Sequence, residues 1–116
     1  VYELSNYRNS ISEVIPKDII TKEPSAELRP NQLDTDSLPD YEVLDKILNL
    51  YIEQDSSSEK IIATGIQPDL VYDVLEKVDR NEYKRKQVAP GVKLTQKAFG
   101  KDRRMPITNT YIRQKE

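Results

Sequence analysis

The sequence predicts a mainly α-helical chain that carries a long polar loop and a basic C-terminal strap, and three observations predict it. Apolar residues recur at three-to-four spacing in two stretches, 40–54 and 68–81, as one buried face of a helix requires. No run alternates at period two for long enough to make a strand. Prolines, serines and glycines stand where the helical stretches start and stop.

In chain order, Val1 to Asn9 (VYELSNYRN) places Val1, Leu4 and Tyr7 or Arg8 on one face, which suggests the tail of a helix that begins upstream. Ile15-Pro16 breaks it. Residues 21–39 (TKEPSAELRPNQLDTDSLP) hold three prolines, many polar residues and no periodicity, and are expected to form a long loop of the kind that is usually functional or disordered. From Asp40 to Gln54, the residues Val43, Leu44, Ile47, Leu48, Tyr51 and Ile52 share a face, with Pro39 expected in the first turn. Ser56 and Glu59 match a capping box that opens a short helix closed by Gly65. A further helix runs from near Pro68 to about Asn81 and buries Leu70, Val71, Val74, Leu75 and Val78. Beyond Glu82 the character becomes basic. Pro90-Gly91 is a turn, Leu94 to Phe99 is expected to make one short helix closed by Gly100, and Met105-Pro106-Ile107 starts an extended tail. The expected organisation is therefore a helix end and connector at 1–20, a loop at 21–39, a helical cluster at 40–81 and the strap at 82–116.

Composition bounds the chemistry. Of 116 residues, 36% are hydrophobic and 33% charged, so the core is expected to be thin and to need packing against something else. Cysteine and histidine are absent, which removes disulfides, the thiol nucleophile, the commonest general base and the commonest transition-metal ligand. No apolar stretch nears the roughly 20 residues that span a bilayer, and no signal pattern opens the chain, so neither a membrane partner nor export is expected; a reducing, cytoplasmic setting is.

The net charge of −2 hides an asymmetry. Residues 1–80 carry 8 Lys/Arg against 17 Asp/Glu, about −9, whereas residues 81–116 carry 10 against 3, about +7. Such a chain either neutralises itself, strap against body, or presents a cationic site to an anion.

Signatures of a complete catalytic centre are missing. The glycines Gly65, Gly91 and Gly100 are too far apart for a phosphate-cradling loop. Asp34, Asp36 and Asp40 could seed a metal site but lack the glycine and closing glutamate of a calcium loop, and a solvated acidic loop is the plainer reading. Lys84-Arg85-Lys86 and Lys101-Asp102-Arg103-Arg104 lie beside Tyr83 and Phe99 and suit phosphate, because guanidinium and ammonium groups make charge-assisted bonds to its oxygens; a solvated basic face is the alternative. A helix-turn-helix with a basic arm is disfavoured, since the would-be recognition helix presents Asp69, Asp73, Glu76 and Asp79, and no nucleic-acid partner is expected.

Two longer stretches are more specific. The loop Pro24-Ser25-Ala26-Glu27-Leu28-Arg29-Pro30-Asn31-Gln32, continuing through Asp34-Thr35-Asp36 to Asp45, resembles a loop and following helix of the glutamine-dependent NAD synthetases. The strap Tyr83-Lys84-Arg85-Lys86-Gln87-Val88-Ala89-Pro90-Gly91-Val92-Lys93, then Ala98-Phe99-Gly100-Lys101-Asp102-Arg103-Arg104-Met105-Pro106-Ile107-Thr108-Asn109, is similar to their C-terminal end. Both occur in the family's order, and the resemblance covers essentially the whole chain.

That resemblance implies a ligase of NAD biosynthesis that uses ATP and magnesium to adenylate deamido-NAD and lets ammonia, made from glutamine in a separate glutaminase domain, displace AMP. It implies that the chain is the helical C-terminal section of a Rossmann-like α/β synthetase domain, inactive alone, with the rest of that domain, the glutaminase domain and further copies of the protein in a homo-oligomer as partners. No catalytic residue is implied. Ser25 stands where ammonia-dependent relatives place the threonine of a Pro-Thr-Ala motif, which implies contact with a nucleotide phosphate and magnesium. Asp36 falls near an acidic residue used on deamido-NAD. Tyr83-Lys84 corresponds to a His-Lys pair at the same substrate, with a phenol here in place of imidazole. Lys86, Asp102 and Arg103 belong to the same strap and are expected contacts. The rival classes are a helical packing or oligomerisation element and a nucleic-acid binder.

Overall fold

In the computed structural model, residues 1–97, 100 and 102–108 are described. The chain divides into two units, one ending at Leu38 and one starting at Pro39. All regular elements among the described residues are helical.

The first unit opens with α1 (Tyr2–Ile11). Its apolar positions Leu4, Tyr7 and Ile11 are all exposed, so the periodicity that predicts this helix does not bury a face within the unit. The side chain of Asn9 ends it. Its Nδ2 donates to the Ile15 carbonyl at 2.8 Å, while its Oδ1 accepts from the N–H groups of Val14 and Ile15 at 3.1 and 3.0 Å. Pro16 then acts as the N-cap of α2 (Lys17–Thr21), a turn of helix that the sequence reading treats only as a connector. The loop that follows is tied across its base by Asp34 N–H to the Pro24 carbonyl at 3.0 Å and ends in a 3₁₀ turn at Asp34–Asp36.

The second unit holds the core. Helix α3 (Tyr41–Leu48) starts after the N-cap Asp40, one step later than expected, with Pro39 outside its first turn. It continues into a wider π-helical turn, Asn49–Glu53, closed by Gln54 N–H to the Asn49 carbonyl at 3.2 Å. Asp55, at φ 49°, stops the helix in the left-handed region. The cap of α4 (Ser58–Ile62) is Ser57 and not Ser56: the Ser57 hydroxyl accepts from the Lys60 N–H, and the Glu59 carboxylate accepts from the Ser58 hydroxyl instead of returning to the cap. Gly65, at φ 92°, closes that helix as expected. Helix α5 (Pro68–Arg80) has proline in its first turn and buries Val71, Val74, Leu75 and Val78 against Ile47, Tyr51, Ile52 and Ile61. The result is a small three-helix core of side chains at 0–8% exposure, as thin as the composition predicts.

The strap differs from expectation in two respects. It begins as a helix, α6 (Glu82–Gln87), whose Glu82 is 2% exposed and pairs with Arg85 at 2.7 Å. No helix forms at 94–97, where the polar run Thr95-Gln96-Lys97 makes bends; Ala98 and Phe99, the rest of that expected helix, lie outside the described residues. Met105 and Pro106 are in no regular element and Ile107 starts a turn; residues 109–116 also lie outside the described part.

Candidate functional site

The sequence-predicted residues fall into two groups. Ser25 and Asp36 belong to the loop of the first unit, and Tyr83, Lys84, Lys86, Asp102 and Arg103 to the second.

In the loop, the Ser25 Oγ accepts from the Glu27 N–H at 3.1 Å, which leaves the hydroxyl proton free to be donated. Glu27 and Asn31 sit at φ 54° and 55°, and a left-handed glutamate costs conformational energy that its partners must offset. The Lys22 ammonium pairs with the Glu27 carboxylate; that hydrogen bond first, and then the charge itself, raises the pKa of Lys22 and lowers that of Glu27. The Gln32 Oε1 accepts from the Leu28 N–H at 3.0 Å. The Asp36 carboxylate accepts from the Leu33 N–H at 3.1 Å and from Arg29 at 3.2 Å, and these two contacts, in that order, hold its pKa below the ordinary aspartate value. Asp36 is thus the cap of its own 3₁₀ turn. The loop encloses an open groove of about 670 Å³ lined by Lys22, Ser25, Arg29 and Asn31 among others. Its two cations are each matched by a carboxylate, so the groove offers a hydroxyl and backbone curvature with little net positive charge. Among the described residues no three metal-ligating side chains come together, and Asp34, Asp36 and Asp40 do not form a metal cage.

In the second unit the cations are unevenly committed. Tyr83 and Lys84 share the exposed part of α6, with Lys84 Nζ 5.9 Å from the Tyr83 ring centroid. Lys84, Arg85 and Lys86 all fall in the last turn of α6, where positive charge complements the helix end. Between α6 and the strap lies a second groove, about 660 Å³, lined by Arg85, Lys86, Lys93, Asp102 and Arg104. Asp102 pairs with Lys93 at 2.6 Å and Arg85 is held by Glu82, so Lys86 and Arg104 are the exposed cations of this groove without a carboxylate partner among the described residues. Lys97 turns to the body: its N–H donates to Glu53 Oε2 at 3.1 Å and its ammonium pairs with Asp55. Arg103 also turns to the body, onto Tyr51 and Asp79. Self-neutralisation and a free cationic face, the two readings of the charge asymmetry, therefore both occur, on different residues of one strap.

Sequence reasoning missed Tyr51, Asp79, Lys97 and Arg104. Tyr51 and Asp79 read as one core and one solvent position on separate helices, and only packing brings them together. Arg104 was visible as one of a basic pair, but no periodicity tells which member of the pair faces outward.

Residues 1–88 match the family model described as NAD synthase. The chain is 56% identical over 113 residues to the glutamine-dependent NAD(+) synthetase of Aquifex aeolicus, covering 97% of the chain and 20% of the relative. It is 52% identical to that of Thermotoga maritima, with 96% and 20% covered. The solved structure of the glutamine-dependent NAD+ synthetase of Acinetobacter baumannii in complex with ADP superimposes with a TM-score of 0.62 at 44% identity, over 97% of this chain and 19% of that one. The chain thus spans about one fifth of the length of these relatives.

Proposed function

Because the chain belongs to the NAD synthase family, we propose that it serves, in a protein of its relatives' length, as the C-terminal substrate-gripping section of an ATP-dependent ligase that converts deamido-NAD to NAD. In that reaction the nicotinate carboxylate oxygen attacks the α-phosphorus of ATP and pyrophosphate leaves. Ammonia, derived from glutamine, then adds to the acyl carbon and AMP departs with the bonding pair. The observation that carries this reading is the family match over residues 1–88 together with alignments, 56% and 52% identical overall, that cover 97% and 96% of the chain.

The assignments follow the chemistry of each group. The Ser25 hydroxyl, with its proton uncommitted, donates to a phosphate oxygen of ATP, and its oxygen would serve as one ligand to a magnesium ion bound with that phosphate. Magnesium, when bound, spreads the negative charge that builds on the pyrophosphate as it leaves. Lys84 meets negative charge on deamido-NAD, with Tyr83 beside it as a flat apolar surface and hydrogen-bond partner, and Asp36 orients the same substrate from the loop. Lys86 and Asp102 are further strap positions assigned to this grip, whereas Arg103, expected as another contact, is turned onto Tyr51 and Asp79. The wider setting we infer is a Rossmann-like α/β synthetase domain, a glutaminase domain that supplies ammonia, a homo-oligomer and the cytoplasm. No helix among the described residues is long and apolar enough to cross a membrane.

A packing role for the strap is the second reading, favoured by Lys97 and Arg103, whose charges are spent on the acidic body. The two are separated by Lys84→Ala in the protein extended to its relatives' length, assayed for NAD formation from deamido-NAD, ATP and ammonia: a raised KM for deamido-NAD supports the grip, and lost stability with that KM unchanged supports packing. The protein extended to its relatives' length is expected to form NAD and the 116-residue chain to form none. NAD formation by the 116-residue chain, or its absence in the extended protein, overturns the proposal.

A further inference from the structure

Arg103 does not behave as a surface cation. Its guanidinium carbon lies 3.9 Å from the centroid of the Tyr51 ring, and its NH1 is 3.4 Å from Asp79 Oδ1. The Tyr51 hydroxyl donates to the same carboxylate, 3.0 Å from each oxygen. Tyr51 is 4% exposed, and the side chains of Arg103 and Asp79 only 16% and 18%. A planar cation is thus stacked on a core aromatic and its charge is met by a carboxylate that the phenol already orients. Half-burial strengthens both contacts relative to open water. The seat is built from two helical elements, the π-helical turn after α3 and the last turn of α5, so it exists only when the core is packed.

Arg103 lies in a bend of the chain and is partly buried, whereas the next residue, Arg104, is exposed. With Arg103 turned into the body, its neighbour Arg104 faces outward and lines the groove that also contains Lys86. Lys97, bound to Glu53 and Asp55 six positions earlier, fixes the other end of the same stretch.

We propose that Arg103 is a positioning residue, seated on Tyr51 and Asp79, that docks the strap so that Arg104 and Lys86 present uncommitted positive charge to a phosphate-bearing substrate. This rests on the functional reading above and assigns a task within it. Arg103 acts through its neighbours and does not itself touch the ligand.

The test is a mutant cycle in the full-length synthetase, with Lys84→Ala as the direct-contact control. Arg103→Ala and Asp79→Asn are each expected to raise the KM for deamido-NAD about tenfold while the KM for ATP stays within about twofold, and the double variant to be no worse than Arg103→Ala alone, as coupled residues behave. Tyr51→Phe, which keeps the ring and loses only the hydroxyl, is expected to shift that KM in the same direction by less and guards against loss of folding. If Lys84→Ala raises this KM but Asp79→Asn and Tyr51→Phe do not, Arg103 contacts substrate directly and the positioning role is wrong. If Lys84→Ala leaves it unchanged, the substrate reading of the strap falls instead. Additive effects of Arg103→Ala and Asp79→Asn also overturn the proposal.

Discussion

At the carboxylate of Asp36, the Leu33 N–H and the Arg29 guanidinium both favour the charged form, so its pKa is lower folded than unfolded. Its contribution to loop stability is therefore fully present above the unfolded value and is lost as pH falls through the folded one. Carbon-detected NMR of the full-length protein should show Asp36 titrating below an unfolded-chain aspartate; titration at or above that value would contradict the cap. Ser25 makes a separate prediction. A hydrogen bond to a charged phosphate is worth about 1.5–3 kcal/mol, so Ser25→Ala should raise the KM for ATP by about tenfold or more, while Ser25→Thr should keep near-native kinetics. Glu82 is the third. With its side chain 3% exposed and Arg85 13% exposed, Glu82 holds a partly buried ion pair, and Glu82→Ala should loosen α6 locally, read as faster amide exchange in 82–87. Ser25 and Lys84 stand out in the sequence because a long motif contains each of them. Asp36 as a cap and Glu82 as a buried anchor do not, since both depend on a partner's N–H or guanidinium that only the folded backbone delivers.

Among the elements, α3 and α5 were legible because their apolar residues repeat without interruption over more than two turns and carry amphipathic faces. Of the shorter pieces only α4 was, through its serines and Gly65; α2 and α6 have five and six residues, too few for a periodic pattern to mark them. The π-helical turn is invisible to a 3.6-residue template, although Tyr51 and Ile52 were correctly read as core. The shift of the α4 cap from Ser56 to Ser57 reflects a run of three serines, any of which has the right hydroxyl. Leu75, with no exposed surface, belongs to the shared core, and Leu75→Ala should lower the opening free energy of α3–α5 amides by about 2–5 kcal/mol in hydrogen exchange. A change below about 1 kcal/mol would mean that other parts of the full-length protein support this cluster.

Among the described residues, the strap cations behind the charge asymmetry of about −9 against +7 fall into three groups, of which Arg85 and Lys93 are paired within the strap, with Glu82 and Asp102. Lys97 and Arg103 are spent on the acidic body, and Lys84, Lys86 and Arg104 stay exposed. On the proposed reading, docking supplies geometry and the exposed set supplies charge, so that a polar segment with a thin core serves a site made for an anion. The central claim is that this exposed set meets the phosphates of the dinucleotide. It is tested most directly by a crystal structure of the full-length synthetase with deamido-NAD bound. The account predicts Lys84 Nζ within about 2.7–3.2 Å of a substrate oxygen, with Arg103 still stacked on Tyr51. Lys84, Lys86 and Arg104 all directed into bulk water, away from the bound dinucleotide, would contradict it.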